Sequence, residues 1–176
     1  MTIHAQQFPT PLGPMLAAVD DAGSVLRLAF LGGRDAQSLA REGARRNEAV
    51  EWDDGRCAAV VAQVEEYFAG QRRDFDLPLA PRGSDFQQRV WAELVRIPYG
   101  ATISYGELAR RVGNPAASRA VGRANATNPI PVIVPCHRVI GANGTLTGYA
   151  GGVDLKHGLL HLEGALPAEQ PTLAVA

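Results

Sequence analysis

Residues 4–8, 15–19 and 25–30 are short runs bounded by turn residues, all apolar at 15–19 and alternating well enough at 25–30, and they predict three β-strands. Pro9-Thr10-Pro11-Leu12-Gly13-Pro14 separates the first two runs and Asp20-Asp21-Ala22-Gly23 the last two, so the strands form a small antiparallel sheet joined by tight turns. Residues 32–56 are polar, charged and glycine-bearing, with a weak helical stretch at 37–41, and read as a connection that carries no site. From residue 57 the period changes. Cys57, Val60, Val61, Val64 and Phe68 share one helical face, and Gly70 ends it. A lone cysteine in such a stripe reads as a buried structural thiol.

Residues 71–83, with Pro78, Pro81 and Gly83, read as a linker to a second lobe. Ser84 can cap a helix running to about residue 96, with Phe86, Val90, Trp91 and Leu94 as its apolar stripe and Pro98-Tyr99-Gly100 as its stop. A two-helix unit follows. Ser104 caps a helix over 105–112, Gly113-Asn114 turns the chain, and Pro115 opens a second helix to about residue 125. These are the ingredients of helix-turn-helix. The second helix is built from Ala116, Ala117, Ser118, Ala120, Gly122, Ala124 and Ala126, among which Arg119 and Arg123 stand out. Major-groove readout normally uses several long polar side chains. Small residues suit either close approach to a minor groove or tight packing against another helix, and the pattern does not choose between them.

Residues 128–140 form an apolar, proline-punctuated run that reads as a strand delivering Cys136, His137 and Arg138 together. The thiolate is the nucleophilic form of cysteine, and an imidazole can take the thiol proton directly or through a water. Adjacent residues on an extended chain point to opposite faces, so a turn or a bridging water is required for His137 to serve Cys136. Gly141-Ala142-Asn143-Gly144 is a turn, and Gly148-Tyr149-Ala150-Gly151-Gly152 is a loop whose backbone can approach a ligand closely. A helix then presents Leu155, Leu159 and Leu162 to the core and ends at Glu163, before Gly164. An acid that orients a histidine is the third part a nucleophile–base pair needs. Residues 165–176 have two prolines and no pattern and are expected to be mobile.

Of the 176 residues, 46% are hydrophobic and 20% charged, which is the composition of a folded, compact chain of one or two lobes rather than a disordered one. No apolar run reaches membrane-spanning length, and the first residues lack a basic segment followed by an apolar one, so the cytoplasm is the expected compartment. Two cysteines without paired spacing are expected to be free thiols. The net charge of −1 argues against a general polyanion binder but hides an uneven distribution. Residues 1–81 hold 8 Arg against 12 Asp and Glu, 82–140 hold 8 Arg against 3, and 141–176 hold Lys156 against 3. The middle is the basic part, as a phosphate-facing surface or a solvated helix face would both be.

With these residues in place, the chain resembles the O6-alkylguanine-DNA alkyltransferases, particularly the stand-alone bacterial type. The resemblance runs from about Gly83 to Gly164 through Asp85-Phe86-Gln87-Gln88-Arg89-Val90-Trp91, Ile97-Pro98-Tyr99-Gly100, Ser104-Tyr105, Arg119-Ala120-Val121-Gly122, Asn128-Pro129, Pro135-Cys136-His137-Arg138-Val139, Gly148-Tyr149 and Leu159-Leu160-His161-Leu162-Glu163-Gly164. It implies an α+β protein. Residues 1–81 would form a ribonuclease-H-like domain with a small antiparallel sheet and a helix. Residues 82–165 would form a mainly helical, winged helix-turn-helix-like domain carrying the active-site cysteine, and 166–176 a tail.

The resemblance further implies that Cys136 accepts the alkyl group, that His137 activates it through a water and that Glu163 orients His137. Tyr105 would donate to the purine, Asn128 would brace the turn beside the site, and Arg119 would fill the gap left by a flipped nucleotide. Ala117, Ala120, Gly122, Arg123 and Arg138 would join Arg119 against DNA. Val139, Tyr149, Ala150, Gly151 and Lys156 would line the base pocket. Ala150 stands where some relatives carry serine, and the zinc-binding residues of some relatives are not matched, since His4 stands without cysteines. No cofactor and no metal are expected. The partner would be double-stranded DNA containing O6-alkylguanine, met by a monomer. The competing expectations are a helix-turn-helix regulator or damage sensor without transfer, which Cys136 opposes, and a Cys-His hydrolase.

Overall fold

The computed structural model describes residues 1–31, 35–146, 149 and 152–165. The chain divides into two compact units, Met1–Arg82 and Gly83–Ala176. In the first, strands β1 (Thr2–Phe8), β2 (Met15–Val19), β3 (Val25–Phe30) and β4 (Ala49–Trp52) form one sheet in the order β3-β2-β1-β4. The three expected strands pair antiparallel, with Phe8 opposite Met15 and Met15 opposite Phe30, and β4 adds on in parallel, with Thr2 opposite Ala49. β2 is buried along its whole length because both faces of the sheet are covered. Leu16 and Ala18 cluster with Ile3, Ala5, Leu26 and Leu39. Helix α2 (Asp54–Phe68) packs on β1 and β2 with Cys57, Val60, Val61, Val64 and Tyr67 buried, and Asp53 caps its first turn by accepting from Arg56 N.

Residues 32–56 are more than a connection: they contain helix α1 (Asp35–Arg46) and β4. Both escape the pattern for the same reason. Among its described side chains α1 buries Leu39 and Gly43 alone, and β4 is an edge strand whose only half-buried position is Val50, so neither shows a repeated apolar stripe there.

In the second unit, α3 (Asp85–Val95) starts on a reciprocal cap in which Ser84 Oγ accepts from Gln87 N and Gln87 Oε1 accepts from Ser84 N. Helices α4 (Tyr105–Arg111) and α5 (Ser118–Ala126) follow, α5 packs on both α3 and α4, and Trp91 Nε1 donates to the Ala124 carbonyl at 2.8 Å to tie α3 to α5. α5 begins later than expected. Pro115 and Ala116 lie in a turn closed by Ala117 N on the Asn114 carbonyl, and Gly113 takes φ +84° to let the chain leave α4. Short strands β5 (Ile103–Ser104) and β6 (Val139–Ile140) pair in parallel, and α6 (Val153–Leu162) closes the described part. Its inward face is Lys156, Leu159 and Leu160, with Glu163 capping its end, while Leu155 and Leu162 are half-buried. The expected tail, 166–176, lies outside the described residues.

Candidate active site

The run into Cys136 is a coiled turn, not the expected strand. Residues 131–133 form a turn, Val134 N donates to the Ile130 carbonyl, and Cys136–Arg138 make one turn of 3-10 helix. Four apolar side chains, Ile130, Val132, Ile133 and Val134, bury themselves and compact the segment. Asn128 braces it from both sides: its Oδ1 accepts from Ile130 N at 3.0 Å and its Nδ2 donates to the Val134 carbonyl at 2.8 Å. Val132 sits at φ +75°, a conformation that is costly for a β-branched residue, on the order of 1–3 kcal/mol. Such strain persists only where packing and hydrogen bonds over-determine the backbone, and here they hold the nucleophile's approach rigid. The 3-10 turn is the turn that an extended Cys136-His137 pair lacked.

Cys136 is 4% exposed. Burial pushes its thiol up to about 11, opposed by a hydrogen bond with Asn128, the Lys156 cation and backbone N–H groups. The resting sulfur is therefore a thiol at neutral pH, and it needs a base. Cys57 is also pushed up to about 11 by burial, but Asp53 and Asp54 add to the rise. Its Sγ donates to the His4 carbonyl at 3.4 Å, and the neighbouring Arg56 guanidinium is spent on the Asp21 carbonyl. The two thiols thus differ in their surroundings: cation and amide donor at Cys136, carboxylates at Cys57.

His137 is fully buried, and its Nε2 lies 2.8 Å from Glu163 Oε2. Desolvation lowers its pKa below 6.5 against the pull of Glu163, so the ring is neutral at pH 7. A carboxylate only accepts, which assigns the ring proton to Nε2 and leaves Nδ1 as a lone pair. Nδ1 is buried and meets no side chain or backbone donor among the described residues.

Arg138, expected at a DNA-facing surface, is turned into the interior. It is 5% exposed, with Nε 2.8 Å from Glu163 Oε1, Nη2 2.9 Å from Glu163 Oε2 and Nη1 2.6 Å from the Ile97 carbonyl, and its guanidinium lies 5.7 Å over the Tyr99 ring. Glu163 thereby joins two neighbours of Cys136 at once. A buried carboxylate needs a paired, hydrogen-bonded counter-charge, and Arg138 is that counter-charge.

Lys156, the sole lysine of the chain, is fully buried; its Nζ donates to the Val139 carbonyl and stands 5.9 Å from the Tyr105 ring. Burial lowers it to about 8, so it still carries charge at pH 7 beside Cys136. The Tyr149 hydroxyl is buried near enough to Cys136 to feel its charge, and burial raises it well above 10. Cys136, His137, Glu163, Asn128, Lys156, Val139, Tyr105 and Tyr149 are therefore brought together, whereas Ala150 and Gly151 lie outside the described residues. Asn125 was missed: it is 2% exposed, and its Nδ2 donates to the Cys136 carbonyl at 3.3 Å. An asparagine on the inward face of an alanine-rich helix was the available signal.

The inward side of α5 fits the tight-packing reading of its small residues. Val121, Ala124 and Asn125 pack inward, and Gly122 lies against the Tyr105 ring, where a Cβ would be 3.8 Å from Cδ1. Arg119 and Arg123 are exposed, with Ala117 and Ala120 half-buried beside them.

Comparison with known proteins identifies this arrangement. The family model described as 6-O-methylguanine DNA methyltransferase, DNA binding domain, matches residues 85–165, and that of the ribonuclease-like domain matches residues 3–81. A methylated-DNA--protein-cysteine methyltransferase of Methanosarcina acetivorans is 48% identical over 158 residues, 90% of this chain and 96% of its own. One from Mycobacterium tuberculosis H37Rv is 48% identical over 164 residues, 92% of each chain. The crystal structure of Mycobacterium tuberculosis O6-methylguanine methyltransferase superposes with a TM-score of 0.80 at 44% identity, covering 96% of this chain and 97% of that one. The same organism's OGT in complex with DNA gives 0.79 at 44% identity, covering 94% and 96%. With both family models matching in order along nearly the whole chain, this protein belongs to the 6-O-methylguanine DNA methyltransferase family.

Proposed function

We propose that this protein repairs duplex DNA by direct reversal, transferring the alkyl group of O6-alkylguanine, and of O4-alkylthymine, irreversibly to Cys136. The observation that carries the reading is the buried Cys136 thiol set on a braced turn beside a cation, next to a neutral His137 held by Glu163. In-line attack forms the S–C bond and breaks the C–O6 bond. The thiol proton passes to His137 Nδ1, directly or through a water, and the guanine leaves as an anion that Tyr105 stabilises by donating from its hydroxyl. A thioether has no leaving group for water to displace, so each molecule acts once and the balance requires no cofactor. The base must leave the stack to be reached, at a cost of a few kcal/mol. We assign residues 82–165 to DNA binding and transfer, and the whole to a cytoplasmic monomer, where a reducing milieu keeps Cys136 free.

Incubation with a duplex carrying one O6-methylguanine tests this by intact mass: the protein gains one methyl per molecule, mapped to Cys136. No gain fits a damage sensor, continued product release fits a hydrolase, and either overturns the reading.

Arg119, exposed in the first turn of α5, enters the space left by the extruded base. Arg119→Ala is expected to slow reaction with duplex about tenfold or more while barely changing reaction with free O6-benzylguanine, because only the duplex requires flipping. Equal loss on both substrates would place Arg119 in the pocket or the fold instead.

A further inference from the structure

Four guanidiniums of the N-terminal unit line a cleft that the transfer reaction does not use. Arg27 of β3 and Arg41, Arg45 and Arg46 of α1 enclose about 540 Å³ together with Ser38 and Glu42. The packing of α1 creates it. Leu39 points inward at 2% exposure, and Gly43 lies so close to the chain entering β4 that an added Cβ would stand 2.9 Å from Glu48 O and Val50 Cγ2. The opposite side of α1 must therefore face out, and Arg41 and Arg45 stand there exposed, four residues apart.

The charges in this cleft do not balance. Its one lining acid, Glu42, is shared among Arg27 at 3.6 Å, Arg46 at 3.7 Å and Arg82 at 3.3 Å. Arg41 and Arg45 have no carboxylate partner among the described residues, and like charges at this spacing on a helix repel. The helix dipole favours Arg45 and Arg46, which occupy the last turn, but it accounts for neither Arg41 nor Arg27. This excess is concentrated in a segment, 1–81, where acids outnumber arginines by 12 to 8.

We infer that the cleft binds phosphate groups of a DNA backbone, as a sequence-independent site additional to α5. The guanidinium fork matches phosphate geometry, and several forks around one hollow suit consecutive phosphates. The inference rests on DNA being the substrate, and its test separates the two. Arg41→Gln with Arg45→Gln keeps helix formers at exposed positions, so the fold should survive. In duplex binding, the slope of log affinity against log salt should become shallower by about 2, roughly 0.9 for each phosphate no longer neutralised. Transfer from free O6-benzylguanine should stay at the parental rate, and Arg41→Lys with Arg45→Lys should keep the parental slope. Arg72→Gln with Arg73→Gln removes the same charge elsewhere in the unit and should leave the slope alone. A parental slope in the Arg41/Arg45 glutamine variant, or an equal change in the Arg72/Arg73 control, overturns the inference. So does tight binding of tripolyphosphate to the parent that needs Arg41 and Arg45 while the DNA slope does not. Failure of the parent to gain a methyl from the methylated duplex would sink the transfer reading instead.

Discussion

Protein carrying Cys136→Ala or Cys136→Ser gains no mass on incubation with methylated duplex, yet still retains the duplex in a binding assay. The two functions separate because Arg119 and Arg123, proposed to contact DNA from the exposed side of α5, make no use of the sulfur. Serine keeps the shape of the side chain but supplies a far poorer nucleophile, whose proton is harder to remove than a thiol's. The turn should survive either change, since it is held by Asn128 and by the packing of Ile130, Val132 and Val134 rather than by Cys136. Cys57→Ser is the matched control: full transfer with a modest loss of stability, because that thiol is wholly buried against backbone carbonyls among carboxylates. Methyl found on Cys57 by peptide mapping, or transfer by Cys136→Ala, would remove Cys136 from the reaction.

Much of the molecule is legible in the amino-acid sequence, and the failures share a cause. Helices α2 and α3 announce themselves because each repeats an apolar position with the helical period, and strands β1 to β3 because each is a short run bounded by turn residues. Among the described residues α1 has one inward side chain with length, Leu39, and β4 only a half-buried edge, and a period cannot be read from one point. The run into Cys136 misleads for the opposite reason. Its side chains are almost all apolar, and an apolar run buried on all sides looks the same whether it is extended or coiled. The side-chain bonds of Asn128 to residues two and six positions on hold the coil, and the apolar pattern does not register them. Arg138 shows the same limit for charge: an arginine beside a histidine in a basic segment reads as a phosphate ligand until the carboxylate 25 positions later is seen to close on it.

That carboxylate is the position where the largest combined loss is expected. Glu163 accepts from His137 Nε2, Arg138 Nε and Arg138 Nη2, and its side chain is wholly buried. Glu163→Gln leaves the Arg138 guanidinium without a counter-charge in the interior, which costs about 3–5 kcal/mol. It also frees the imidazole to take the other tautomer. An amide can donate to Nε2, which moves the ring proton to Nδ1 and removes the lone pair that must accept from the thiol. A base held in the wrong tautomer loses roughly 10²–10⁴-fold in rate. Alkaline pH separates this chemical loss from unfolding. As pH approaches the Cys136 pKa of about 11, solvent hydroxide deprotonates the thiol without His137, so the ratio of parental to variant rate on O6-benzylguanine should narrow from pH 7 to 10. The acid side has its own sign. His137 has a folded pKa depressed below 6.5 by burial, so the unfolded chain binds its proton first. The stability that the neutral ring contributes is full above pH 6.5 and is lost as pH falls through the folded pKa. The parent's melting temperature should accordingly fall between pH 7 and pH 5, with its transfer rate following only once the depressed pKa is passed. A Glu163→Gln protein that melted at the parental temperature and reacted at the parental rate at pH 7 would show that Glu163 neither orients His137 nor offsets Arg138.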